Sequence, residues 1–261
     1  MSLRESVAEI ATMLQSDLEL VRGLPPIERV GPVYDELCAH YRIVAGCALL
    51  SEGDTDAYAG ALACSAHVRH HLLTRHEEKP SLRNPYFAAG NSAGLFDALA
   101  ASHIGLAAAI AELSPGEWWE GEEYAEDFYF AHFFHLLLRQ PQGSHLELAS
   151  ALERLRAAFA DDERARVGIC TALMSRDQAG FDASFDKLLD ERDTELVEEA
   201  DRFWSDGKIG FRVMSRLHTE ALAILNVADL RGLATEHEYR YCPALARMLG
   251  QPDFPPNPIT G

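Results

Sequence analysis

Residues 117–135 read EWWEGEEYAEDFYFAHFFH. The first part holds six carboxylates and no cation beside two tryptophans and a tyrosine, and the remainder is almost wholly aromatic. No proline breaks the run and no β-branched alternation suggests a strand, so 120–139 is predicted to be helical. On that helix Glu120, Glu123 and Asp127 fall at i, i+3 and i+7 as one exposed stripe. Phe128, Phe130, Phe133, Phe134 and Leu137 spread over the other sides, as a helix surrounded by other helices requires. Trp118 and Trp119 stand at the acidic end, beside the loop LSPGE, where burying that helix does not call for them.

Working outward, the chain reads as helix nearly throughout, because alanine and leucine are abundant and β-branched alternation is rare. Helices are expected near 3–22, 27–51, 54–77, 86–113, 120–139, 144–159, 161–175, 178–190, 194–206, 211–231 and 241–250. Starts are marked by Pro25-Pro26, by Asp54 before TDAYAGAL, and by Ser144 with Glu147 three residues on. The breaks GLPP, EEKPSLRNP, LSPGE, QPQG, SDGK and RGL are short. Such connections join antiparallel helical hairpins into an all-α bundle or a solenoid resembling tetratricopeptide arrays, without a repeated consensus. One helical domain is expected over 1–250, with the proline-rich QPDFPPNPITG (251–261) as an extended tail.

The net charge is −18, and residues 112–127 together with 190–201 carry −13 of it. Phosphate would be repelled, so neither nucleic acid nor a membrane surface is an expected partner, whereas a cationic protein is. No stretch has the length of a membrane span, and the N-terminus lacks the basic-then-apolar plan of a signal peptide. Cys38, Cys47, Cys64, Cys170 and Cys242 are scattered in helical surroundings without a CxxC, which suits reduced core thiols in a cytoplasmic protein. At 261 residues the chain needs neither disulfide nor metal for stability, and no cofactor is expected.

Histidine offers the main enzymatic alternative. SAHVRHHLLTRH places His67 with His70 or His71 on one helix face, and FAHFFH does the same with His132 and His135. Two such helices side by side could ligate a metal in a bundle enzyme, although neither carries the Glu-x-x-His pair of di-metal bundles. No GxSxG elbow is present, and GNSAG and GKIG lack the preceding strand of a phosphate loop. DDER (161–164) reads as a helix start whose carboxylates complement the dipole.

A catalytic set is therefore not expected, and a binding surface is. Tryptophan and tyrosine dominate interface hot spots, and clustered carboxylates accelerate capture of a basic partner. The expected partner-binding residues are Glu117, Trp118, Trp119, Glu120, Glu122, Glu123, Glu126 and Asp127. Asp190, Glu191, Asp193, Glu195, Glu198, Glu199 and Asp201 form a second candidate set. A helical-repeat scaffold for other proteins is the remaining alternative.

One further feature is a likeness. The stretch GKIGFRVMSRLHTEALAILNVADLRGLATEHEYRYCPALARML (207–249) resembles the C-terminal part of the immunity protein 49 family. Its marks are the glycine-flanked lead-in at Gly207 and Gly210, an apolar helix ending in Ala228–Gly232, and the Tyr-x-x-Pro-like element Tyr239 to Pro243. NPYFAAGNSAGLFDALAASHIGLAAAIAEL (84–113) is similar to that family's aromatic lead into an alanine-rich helix. The resemblance implies a helical antidote that binds and neutralises a toxin encoded beside it in bacteria, with no catalytic residues. Tyr239 and Tyr241 are expected to cap the core with hydrogen-bonded hydroxyls, and Pro243 to open the last helix.

Overall fold

A computed structural model describes residues 3–139, 145–159, 164–203, 209–248 and 253–261, with only the helical backbone described for 3–7 and 201–203. The Ser144 cap, residues 161–163 of DDER, the loops QPQG and SDGK, the Gly207 lead-in, Gln251-Pro252 and the Asp201 side chain lie outside the described residues.

The described residues form α1 (Leu3–Arg22), α2 (Ile27–Cys47), a π-helical turn (Ala48–Glu52), α3 (Thr55–His76), α4 (Ala93–Ala100) and α5 (Ile104–Leu113). These are followed by α6 (Ala125–Arg139), α7 (His145–Ala158), α8 (Ala165–Ser175) and α9 (Gln178–Phe203). α10 (Ile209–Met214), α11 (Thr219–Leu230) and α12 (Ala244–Arg247) complete the set. No strand occurs among the described residues. The protein is all-α.

Several helix ends follow from local chemistry. Asp54 accepts the Ala57 N–H at 2.8 Å and caps α3. Pro26 directly precedes α2. The expected helix 86–113 is two, because Ser102 adopts φ 59° and the His103 N–H turns back to the Ala98 carbonyl, at 2.8 Å. Conversely, 178–190 and 194–206 fuse into one helix of 26 residues, since the polar ERDT between them contains neither glycine nor proline. The expected 211–231 breaks between α10 and α11. α12 is only four residues long; Tyr241, at φ 62°, turns the chain before Pro243.

Short loops pair neighbouring helices, and the array then closes on itself. α11 packs on α4 and α10 on α2, and the Asn226 amide donates to the Leu99 carbonyl at 2.9 Å across 127 residues of sequence. Units of a solenoid touch only their neighbours, so the bundle, not the solenoid, is realised. The larger core contains Phe96, Phe130 and Phe134, with ring centroids 5.1–5.7 Å apart. As the sequence requires, Phe128, Phe133 and Leu137 are buried too. A smaller core joins α1 and α2 to Phe87, Trp119 and Ile259.

The C-terminal segment is extended but not separate. Phe254 stacks on His103 at 4.2 Å, Ile259 is buried, and the Arg22 guanidinium donates to the Pro258 carbonyl. The cysteines are free thiols, four buried and Cys64 partly so. Burial pushes Cys38 up to about 11 and Cys242 to about 12, which keeps both protonated and unreactive. Among the described residues, no helix is long and apolar enough to cross a membrane.

Candidate functional site

The acidic-aromatic run does not enter α6 as one stripe. The helix begins at Ala125, and residues 118–124 form a turn in which the Trp119 carbonyl accepts the Glu122 and Glu123 N–H groups, with Gly121 at φ 87°. Glu123 faces inward. Its carboxylate accepts the Gly90 N–H at 2.6 Å and the Trp119 N–H at 3.1 Å. Burial raises its pKa, and those two donors oppose the rise.

The two tryptophans part company. Trp119 is 5% exposed, packed edge-on against His76 and under the Arg83 guanidinium, so it is a core residue and not a surface anchor. Trp118 is 36% exposed and donates its indole N–H to the Glu123 carbonyl at 3.2 Å. Tyr124, not selected from the sequence, is 74% exposed. It followed the glutamates without a pattern that would set it apart. Glu117, Glu120, Glu122 and Glu126 make no ion pair among the described residues.

Asp127 is committed elsewhere. Arg166 on α8 donates Nη1 to Asp127 at 2.8 Å, and Nε and Nη2 to both oxygens of Glu220 at 3.1 and 2.8 Å. The guanidinium also covers the Phe130 ring at 4.6 Å. Burial alone would lower its pKa, but Glu220 and then Asp127 push it up, so Arg166 stays charged. The cluster ties α6, α8 and α11 together.

Much of the second acidic set is structural. Asp190 and Asp193 pair with Arg240, and Asp193 also accepts the Tyr241 hydroxyl. Glu191 accepts the Ala165 N–H at 3.3 Å at the start of α8. Glu195 and Glu199 face the buried Arg192 at 3.0 and 3.8 Å. Glu198 is exposed. The two acidic windows nonetheless meet, for Asp127, Glu191 and Glu195 line one polar cleft with Arg166, Arg192 and His218. The tyrosines behave as expected: the Tyr239 hydroxyl accepts the Glu236 N–H at 2.8 Å, and its ring meets Phe185 edge-on at 4.9 Å.

The histidines do not assemble. α3 packs on α2, α4 and α5, whereas α6 packs on α5, α7 and α8, so the two histidine-bearing faces are not neighbours. His67 meets His103, the His71 Nδ1 sits 2.7 Å from the Tyr34 hydroxyl, and His132 stacks on Phe128. His135 is buried in the core, and burial lowers the pKa of His70 as of the others. Among the described residues no three His, Cys, Asp or Glu side chains converge to hold a metal ion. The histidine-metal alternative is set aside on this geometry.

Fold and surface thus define the class: an all-α bundle with an exposed acidic-aromatic loop and an arginine-lined cleft. The chain matches no protein-family model, and no curated protein or solved structure is significantly similar to it.

Proposed function

We propose that this protein is an immunity-type inhibitor that binds a cationic protein toxin through the loop 117–126. The observation that carries the reading is the pairing of exposed Tyr124 and Trp118 with four carboxylates that have no counter-ion among the described residues: Glu117, Glu120, Glu122 and Glu126. Carboxylates held apart from arginine keep their full field for an incoming partner, and the rings supply area to bury once it arrives. Inhibition is by occlusion: the glutamates occupy the basic surface with which a toxin, for instance a nuclease, engages its anionic substrate. The likeness of 84–113 and 207–249 to the immunity protein 49 family supports the same role.

The test is co-expression with the cationic toxin proposed as the partner, sought among the products of the genes adjoining that of this chain. The wild-type protein restores growth, and a W118A/Y124A variant that folds normally does not. Equal protection by both would remove the loop from the mechanism, and no protection by the wild type would remove the role.

A further inference from the structure

A cavity of about 400 Å³ opens among α2, α3, α4, α10 and α11. Its size is at the lower end of small-molecule sites. Leu62, Phe96, Val213 and Leu217 make one side apolar, and the other carries the guanidinium groups of Arg42, Arg166 and Arg192.

Each of those cations is already answered. Arg42 meets Asp97, Arg166 meets Asp127 and Glu220, and Arg192 meets Glu195 and Glu199. Asp35 adds a further negative charge near Arg42. α4 and α11 bring N-terminal turns to the wall and α10 its C-terminal turn, so the helix ends oppose one another in sign. No positive excess is left to hold an anion. A cation fares no better, because it would lie among three guanidinium groups.

What the wall offers is a donor beside an acceptor. Arg42 approaches Asp97 Oδ2 through Nε at 3.1 Å, and its side chain is 31% exposed. Its Nη1 and Nη2 have no partner among the described residues. Asp97 is 1% exposed, and the Ser65 hydroxyl shares its Oδ2 with Arg42. Asp97 Oδ1 has no hydrogen-bond partner among the described residues, and neither has the Tyr58 hydroxyl on the same wall. Folded interiors rarely leave such atoms unmatched, which marks this end of the cavity as the place for a polar head.

We propose that this cavity binds a small neutral amide with an apolar body. Its carbonyl accepts from the Arg42 guanidinium, its N–H donates to Asp97 Oδ1, and its body lies along Leu62, Phe96 and Leu217. An amide carries acceptor and donor side by side and so serves both members of the ion pair at once. A carboxylate would be drawn to Arg42 and repelled by Asp97, and an ammonium would meet the reverse. A zwitterion could serve both, at the cost of desolvating two charges against an apolar wall. The site is independent of the acidic loop, and its failure leaves the partner-binding reading untouched.

The test is calorimetric titration of the full chain with 3-phenylpropionamide, 3-phenylpropionate, 3-phenylpropylamine and free phenylalanine. It is run at about pH 8, where Asp97, pushed up to about 6 by burial, is ionised. Saturable one-site binding is expected for the amide, with the other three weaker by about tenfold or more. Two variants locate the head and the body. D97N removes the repulsion, so the acid should gain about tenfold or more on the amide. A39W fills the mouth from an exposed position on α2 and should weaken the amide about tenfold or more; it decides the matter should D97N not fold. Acid, amine or phenylalanine binding as tightly as the amide, an unchanged preference in folded D97N, unchanged affinity in A39W, or no binding of the amide at millimolar concentration would each overturn the proposal.

Discussion

The carboxylate of Glu123 accepts the backbone N–H of Trp119 at 3.1 Å, reaching back four residues across its own turn. The other oxygen holds Gly90, which links the acidic loop to the segment before α4. One member of the acidic run is therefore a staple, whereas Glu120 and Glu122 beside it make no ion pair among the described residues. Replacing it leaves two N–H groups without acceptors. E123A is expected to cost about 2 kcal/mol and to shift Trp119 fluorescence to the red, whereas E120A should stay within about 0.5 kcal/mol of wild type. Urea unfolding with tryptophan emission checks both.

Arg166 is expected to be the most costly arginine to lose. R166M strands Glu220 and Asp127 in the cleft, and a loss of about 3 kcal/mol is expected. R166K should recover little of it, because an ammonium cannot reproduce the fork to both Glu220 oxygens. Denaturant titration of the three proteins measures this; full recovery by lysine would show that charge alone suffices.

Two buried groups give the stability opposite pH slopes. Burial pushes the Asp97 carboxyl up to about 6 from an ordinary 3.8, against the pull of Arg42 and Ser65. The folded chain then holds that proton more tightly than the unfolded chain. Its contribution is complete below about pH 4 and is withdrawn as pH rises through 6, by on the order of 3 kcal/mol. Burial holds His135 well below 6.5, with Arg139 adding to the effect. It therefore favours the fold above pH 6.5 and withdraws that support as pH falls. Relative to wild type, D97N should gain stability as pH rises from 4 to 6, and H135L should gain as pH falls below 6.5. Thermal melts across that range test the two signs.

The phenylalanines of α6 made the fold legible, because aromatic residues on most sides of a helix leave only a core to occupy. Closure of the bundle was not legible. It depends on Asn226 meeting Leu99, a contact 127 residues apart that no local period encodes. The site was half legible for a similar reason. Composition located the acidic loop, but periodicity placed Glu123 on an exposed stripe and could not tell Trp118 from Trp119. That distinction rests on Gly90, whose N–H lies 33 residues upstream and draws Glu123 inward. The structural role of Asp190 and Asp193 is not legible locally because their partners, Arg240 and the Tyr241 hydroxyl, come from the far end of the chain.

The most direct measurement is the affinity of the chain for the cationic toxin proposed as its partner, at 50 and at 300 mM salt, for wild type and for E117Q/E120Q/E122Q/E126Q. These values are chosen because screening lengths fall from roughly 14 to 6 Å between them. Added salt is expected to weaken binding by the wild type about tenfold or more. The variant should bind about tenfold or more weaker at low salt, with little further salt dependence. Equal affinities for the two proteins at 50 mM salt would show that these glutamates do not hold the partner.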